Sequence, residues 1–278
     1  MSFRTYREVI GDDRSQLGAQ VVAQRERVHD RLRDVDRVVA IMSGKGGVGK
    51  SFVTAAIARG LVRRMPRGVG VLDADLSSPT TGRLLDARGP LRVDEDGVHP
   101  ARGSAGVVVC SMDLLLEDGA PLAWREPASE RFVWRGTLEA GALREFLADV
   151  VWGELDVLLI DLPPGTDRLD DLTELVPTLA GAIAVTIPSE ESRRSVERAM
   201  RRAAQAGVPL LGVVENMSGY ACAGCGAVGP LHEGSAGAML AETFGVPLLY
   251  RLPFLPGDSA DGPAVLDALT ASCLAALP

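Results

Sequence analysis

The sequence predicts an α/β fold, a doubly wound and mainly parallel sheet with helices on both faces, and three observations predict it. From Val38 onward, short runs of Val, Ile and Leu alternate with stretches of helical periodicity, the pattern of parallel strands joined by crossover helices. The first run passes through glycines into a helix, and two later runs finish in carboxylates, Asp73 with Asp75 and Asp161. In a parallel sheet the carboxyl ends of the strands are where ligands bind. The third observation is size: 278 residues, 46% of them apolar, suffice for one domain of roughly 200–250 residues and a short extension. Aromatics make up only 4%, so the core must be built mainly from Leu, Val and Ala.

In chain order, residues 1–36 balance seven basic against seven acidic side chains. Leu17, Val21, Val28 and Leu32 recur at helical spacing, which predicts an amphipathic helix over 14–34. The segment reads as an N-terminal helical extension, packed on the surface of a domain spanning 37–278. Val38-Val39-Ala40-Ile41-Met42 is the first strand, and a helix near 50–64 follows its glycines. Strands at 70–72 and 156–160 lead into the aspartates. Runs at 107–111, 181–186, 210–214 and 248–251 complete the sheet, and helices near 137–150, 169–175, 191–206, 235–244 and 264–275 supply the crossovers. The stretch 77–104, rich in Pro, Gly, Asp and Arg, and the stretch 116–136 read as long surface connections.

Charge and cysteine usage exclude several function classes. A net charge of -8 repels nucleic acid and anionic lipid, so neither is expected as a partner. Four cysteines in a chain of this length do not make a disulfide framework. Residues 1–8 contain no apolar run of the kind a leader needs, and no later run reaches membrane-spanning length. A cytoplasmic location is expected.

The chain contains two lysines, Lys45 and Lys50; all its other cationic side chains, histidine aside, are arginine. Both fall in Gly44-Lys45-Gly46-Gly47-Val48-Gly49-Lys50-Ser51, which fits the P-loop pattern G-x-x-x-x-G-K-[S/T] between a strand and a helix. Lysine is the compact, flexible cation where an ammonium must reach a phosphate; a planar guanidinium does not replace it freely. The fold class is therefore that of a P-loop NTPase. Backbone N–H groups of the loop and of the helix start would hold phosphate oxygens. Lys50 would bridge the β- and γ-phosphates, and the Ser51 hydroxyl would ligate Mg²⁺. Asp161 is the natural Walker-B residue, reaching Mg²⁺ through water. The segment Asp161-Leu162-Pro163-Pro164-Gly165-Thr166 reads as a switch loop whose Gly165 N–H approaches the γ-phosphate. Guanine-specific P-loop proteins usually read the base with a lysine, and no third lysine exists here, so ATP is favoured.

The remaining motif is Cys222-Ala223-Gly224-Cys225, flanked by Gly226 and expected on an open loop. One C-x-x-C is half of a four-thiolate site, and the chain offers no second pair; Cys110 and Cys273 read as buried structural thiols. A twofold axis would bring two such pairs face to face. Four thiolates suit [4Fe–4S] or tetrahedral zinc. A redox pair and an inert pair remain as readings of the same spacing.

With these motifs placed, the chain resembles the Mrp-type (Nbp/ApbC) iron–sulfur cluster carriers, within the ATPases whose P-loop carries a second lysine. The resemblance covers residues 37–256 and rests on SGKGGVGKS, LDADLSSPT, WRGT, DVVWGELDVLLIDLPPGT, VVENMSGYACAGC and GVPLL. It implies a slow Mg²⁺-dependent ATPase that works as a homodimer, holds a [4Fe–4S] cluster on Cys222 and Cys225 of both subunits, and passes it to apoproteins. By the same resemblance Lys45 crosses to the partner's nucleotide, Asp75 orients the attacking water, Asp73 belongs to the Mg²⁺ shell and Asn216 contacts adenine. Four departures stand out. Phe52 occupies a place usually held by Thr. The switch reads Gly165-Thr166-Asp167-Arg168 where Gly-Asp usually follows Thr. Residues 1–36 carry neither the extra domain nor the cysteine cluster of many members, and 189–205 is unusually rich in Arg. The runner-up is a positioning or partition ATPase. It needs a basic lipid-binding C-terminal helix or a basic DNA patch, whereas 262–278 contains one acid, Asp267, and no base.

Overall fold

The computed structural model describes residues 17–76, 78–89, 91–114, 141–222, 224–231, 234–254 and 263–278. Helix α1 (Leu17–Leu32) leads into strand β1 (Val38–Met42), helix α2 (Lys50–Leu61) and strand β2 (Val69–Asp73). There follow α3 (Thr81–Leu84), β3 (Arg92–Asp94), β4 (Gly97–His99), β5 (Ala101–Arg102), β6 (Val108–Cys110) and a helix α4 over 141–149. The second half comprises β7 (Val157–Asp161), α5 (Asp167–Leu175), β8 (Gly181–Thr186), α6 (Glu190–Gln205), β9 (Leu210–Ala221), β10 (Val228–Gly229), α7 (Ala236–Phe244), β11 (Leu248–Phe254) and α8 (Pro263–Ala276).

Among the described residues these strands form a nine-stranded sheet ordered β10-β9-β8-β1-β7-β2-β6-β5, with β11 also paired to β9. Every pairing is parallel except β5 with β6 and β10 with β9. Strands β1, β2, β7 and β8 are buried at every position, as unbroken apolar runs covered on both faces must be. The chain steps from β1 over β7 to β2, and later from β7 over β1 to β8. The order therefore reverses beside β1, the place where a crevice opens in such sheets. Helix α1 docks on this body through fully buried Val28, and Arg31 donates to the Ala148 and Asp96 carbonyls. No helix among the described residues is long and apolar enough to cross a membrane.

Two expectations are corrected. Segment 77–104 is not a bare connection: it holds α3, the β3–β4 hairpin and the edge strand β5. These pieces are short and locally hydrogen-bonded, so they leave little periodicity in the sequence. Strand β9 runs to Ala221, beyond the expected end at 214, because Glu215 to Ala221 find partners in β11 and β10. Four of the five arginines of α6 are ion-paired: Arg193 with Glu190 and Glu197, Arg194 with Glu190, Arg201 with Glu197 and Arg202 with Asp170, while Arg198 reaches the Ser195 hydroxyl at 3.5 Å. They lace the helix surface rather than forming a free basic stripe. Segment 116–136 and the first residues of the helix expected at 137–150 lie outside the described residues.

Candidate functional site: a phosphate-binding loop and a cysteine hairpin

The loop between β1 and α2 takes its shape from two glycines in left-handed conformations, Gly47 (φ 79°) and Gly49 (φ 78°), which other residues enter at a cost. Gly44 is required for space. A Cβ there would fall inside the backbone of Ser195, and the Ser195 hydroxyl donates to the Gly44 carbonyl at 2.6 Å. Helix α6 thus braces the start of the loop. Residues from Lys45 through Gly46, Gly47, Val48, Gly49, Lys50 and Ser51 to Phe52 line a cavity of about 920 Å³ together with Asp75, Ser78, Thr80, Arg83, Pro163 and Pro164. With the start of α2 facing it, this is an anion site by construction.

Beneath the loop, Lys50 is buried and its Nζ lies 2.6 Å from Asp161 Oδ1. The Thr54 hydroxyl donates to the same oxygen at 2.9 Å. Thr54 is a site residue the sequence reading missed; its signal was its position one turn after Lys50, on the same helix face. Asp161 Oδ2 is fully buried with no partner among the described residues. A buried carboxylate oxygen without a partner fits Mg²⁺, which prefers one or two carboxylates and retained waters.

Strand register sets Asp73 directly beside Asp161. Asp73 Oδ2 accepts from Thr80 N, Thr81 N, the Thr81 hydroxyl and the Ser111 hydroxyl, and Oδ1 accepts from Asp75 N. The carboxylate implied for a metal shell is thus the anchor of α3, tying β2, α3 and Ser111 together, and it does not line the cavity. Burial, and then the Asp161 charge, push its pKa up to about 6 against the opposing donors. Asp75 does line the cavity. Gly165 does not; its N–H donates to the Ser43 carbonyl at 2.9 Å with φ at 114°. This bond ties the segment after β7 to the residue that follows β1.

Asn216 sits behind the loop rather than on the cavity wall. Its Nδ2 donates to the Val48 carbonyl at 2.9 Å, and the same amide fills the space a side chain at Gly49 would need. Its neighbour Glu215, fully buried, accepts from Gly237 N at 2.6 Å and Arg251 Nε at 2.9 Å, joining β9 to α7 and β11. Past Met217, held at φ 51°, the strand continues to Ala221 and the cysteines begin. They occupy a hairpin tip rather than an open loop. Cys222 N donates to Ala227 O at 2.9 Å and Gly226 N to Cys222 O at 2.8 Å, and β10 pairs back on β9. Backbone N–H groups of Gly224 and Cys225, with the Cys225 side chain, hydrogen-bond Cys222 and lower its pKa. Both thiols are exposed, while Cys110 and Cys273 are buried, their thiols pushed up to about 12 by desolvation. The hairpin offers two sulfur ligands, and no group of three or more His, Cys, Asp or Glu with metal-holding geometry occurs among the described residues.

Comparison with known proteins shows the family and the fold. The family described as ParA, NUBPL iron-transfer P-loop NTPase, matches residues 34–265. An iron–sulfur cluster carrier protein of Saccharolobus solfataricus is 38% identical over 247 residues, 88% of this chain and 80% of that protein. A cytosolic Fe–S cluster assembly factor Nubp1 homolog of Drosophila willistoni is 38% identical over 236 residues, 81% of this chain and 73% of that protein. Among solved structures, a nucleotide-binding protein of Archaeoglobus fulgidus in complex with ADP is 32% identical, with a TM-score of 0.67 over 89% of this chain and 92% of that one. The cell division ATPase MinD of Pyrococcus furiosus shares the fold, with a TM-score of 0.57 at 20% identity over 87% of this chain and 99% of that one. On these matches the chain belongs to the NUBPL iron-transfer P-loop NTPase family.

Proposed function

We propose that this chain is a slow Mg²⁺-dependent ATPase that carries a [4Fe–4S] cluster between two copies of itself in the cytoplasm and hands it to apoproteins. One observation carries the reading: the Cys222–Cys225 hairpin presents two exposed sulfurs, with no third ligand among the described residues, at the end of the strand whose Asn216 clasps the phosphate loop. A second copy supplies the missing pair. The names of the Saccharolobus and Drosophila relatives support the cargo, and ADP in the Archaeoglobus structure supports the nucleotide. Lys50 would hold the phosphates, and Asp161, with an oxygen that has no partner among the described residues, would hold Mg²⁺ together with Ser51. The metal supplies charge neutralisation at the phosphates. Asp75, on the cavity wall, is placed to orient water. Lys45 lies on the same wall and no ion pair holds it among the described residues. It is therefore available to reach a partner's nucleotide.

Anaerobic reconstitution with iron and sulfide, followed by absorption spectroscopy and iron counting, tests the cargo. The expected result is a brown species with four irons per two chains that disappears in the Cys222→Ala, Cys225→Ala double variant. Colour surviving in that variant places the cluster elsewhere, and stoichiometric zinc without iron makes the site structural. For the ATPase, Lys45→Ala is expected to keep nucleotide binding and lose turnover, by about 10³-fold if it acts as trans cations do. Equal affinity for GTP and ATP overturns the choice of base.

A further inference from the structure

Arg83 stands on the wall of the phosphate cavity, in α3, beside Asp75 and Thr80. Its side chain is exposed, and no ion pair engages its guanidinium among the described residues, in contrast to the laced arginines of α6. Its backbone is nevertheless well fixed. Arg83 N donates to Asp113 Oδ2 at 3.3 Å, and α3 hangs from Asp73 through Thr80 and Thr81. A cation on an anchored backbone, aimed by its own element at an anion cavity, is positioned at little ordering cost.

Sheet order says which end of a ligand it would meet. From β1, which launches the loop, the sheet runs through β7 to β2, and Asp75 and Arg83 follow β2; the strand of Asn216 lies on the opposite side, beyond β8. The cavity is lined on the β2 side by Asp75 and Arg83 and, among the described residues, by none of β9, so a nucleotide whose β-phosphate rests on the loop and whose base lies away from β2 points its terminal phosphate toward Asp75 and Arg83. We infer that Arg83 binds the terminal phosphate of the nucleotide and sets the preference for triphosphate over diphosphate. The inference rests on the nucleotide reading proposed above. Guanidinium suits this place because its planar fork grips two phosphate oxygens at once, and Phe52 on the same cavity contributes no hydroxyl.

The test is calorimetric titration of the full chain, with magnesium present, using a non-hydrolysable ATP analogue and ADP, for the wild type, Arg83→Gln and Arg83→Lys. Thermal melts check that each variant folds. Arg83→Gln is expected to weaken the ATP analogue by about tenfold or more, the scale of a lost hydrogen bond to a charged group, while ADP affinity stays within about twofold of wild type. Arg83→Lys should recover part of the loss, which a purely structural role would not predict. If Arg83→Gln matches the wild type for both ligands, or loses both equally, the assignment to the terminal phosphate is wrong although the wild type still binds nucleotide. A wild-type chain that binds neither ligand overturns the nucleotide reading itself, and this inference with it.

Discussion

Lys50 and Asp161 keep two opposite charges out of water at 2.6 Å, and each is tolerable there only because of the other. Removing one partner of such a pair typically costs about 3–5 kcal/mol, because the survivor is left as an uncompensated buried charge. Lys50→Ala is therefore expected to lower unfolding free energy by that order in a urea titration. A Lys50→Ala, Asp161→Asn double variant should recover part of the loss; if the two effects simply add, the pair is not coupled. Both variants should fail to bind nucleotide, since Lys50 lines the cavity. A second residue-scale expectation concerns the thiols. Donors from Gly224 and Cys225 stabilise the Cys222 thiolate, whereas burial raises Cys110 and Cys273 to about 12. Iodoacetamide should thus label only Cys222 and Cys225 in the folded chain, and the labelling rate of Cys222 in a Cys225→Ala variant should rise at a pH below the ordinary thiol value of about 8.5. Donors from the backbone survive in that variant. Labelling of Cys110 at a comparable rate would show that β6 opens.

At the scale of elements, β9 does two things at once: Asn216 clasps the phosphate loop from behind, and seven residues of continuous strand after Val214 deliver the chain to Cys222. Asn216→Ala removes one hydrogen bond to the Val48 carbonyl, so a modest stability loss of about 1 kcal/mol is expected. The loop itself should relax, and nucleotide affinity should fall further than stability does. An unchanged affinity would mean that Gly47 and Gly49 alone set the loop's shape. The loop was legible in the sequence because its chemistry is local: a few glycines, a lysine and a serine in consecutive positions can be read without knowing the fold. The long parallel strands were legible for a similar reason, being buried along their whole length. Thr54, Glu215 and Ser195 were not, since each acts on a residue remote in sequence, Asp161, Gly237 and Gly44 respectively. The anchoring role of Asp73 was hidden too, because its donors come from a four-residue helix and from Ser111, which show no periodicity. The continuation of β9 was missed because partner strands, not apolar alternation, extend it.

For the molecule as a whole, folding must bring the carboxyl ends of β2 and β7 together, and register then sets Asp73 beside Asp161, while the buried cation Lys50 pairs with Asp161 and not with Asp73. The arrangement favours one proton more than the unfolded chain would hold. Asp73 is raised to about 6 by burial and by the Asp161 charge, against an ordinary aspartate value of about 3.9. Below about pH 4 the side chain is protonated in both states and costs nothing. Between about pH 4 and 6 the folded chain keeps a proton that the unfolded chain has lost, so this contribution to stability falls as pH rises. Above the folded pKa of about 6 the penalty is complete, on the order of 3 kcal/mol. Other carboxylates, such as Glu190, held low by Arg193 and Arg194, act in the opposite sense, so the raw pH profile mixes the two. A comparison isolates the site: thermal melts of the wild type and Asp73→Asn between pH 4.5 and 7.5. The asparagine variant loses an acceptor at Asp75 N and starts from a lower melting temperature. That deficit has no titration of its own, so the variant should gain on the wild type steadily as pH rises toward 6 and run parallel to it beyond. Curves parallel across the whole range would show that Asp73 ionises as an ordinary aspartate. The two carboxylates would then be held apart by the donors of α3 more than they are strained by burial.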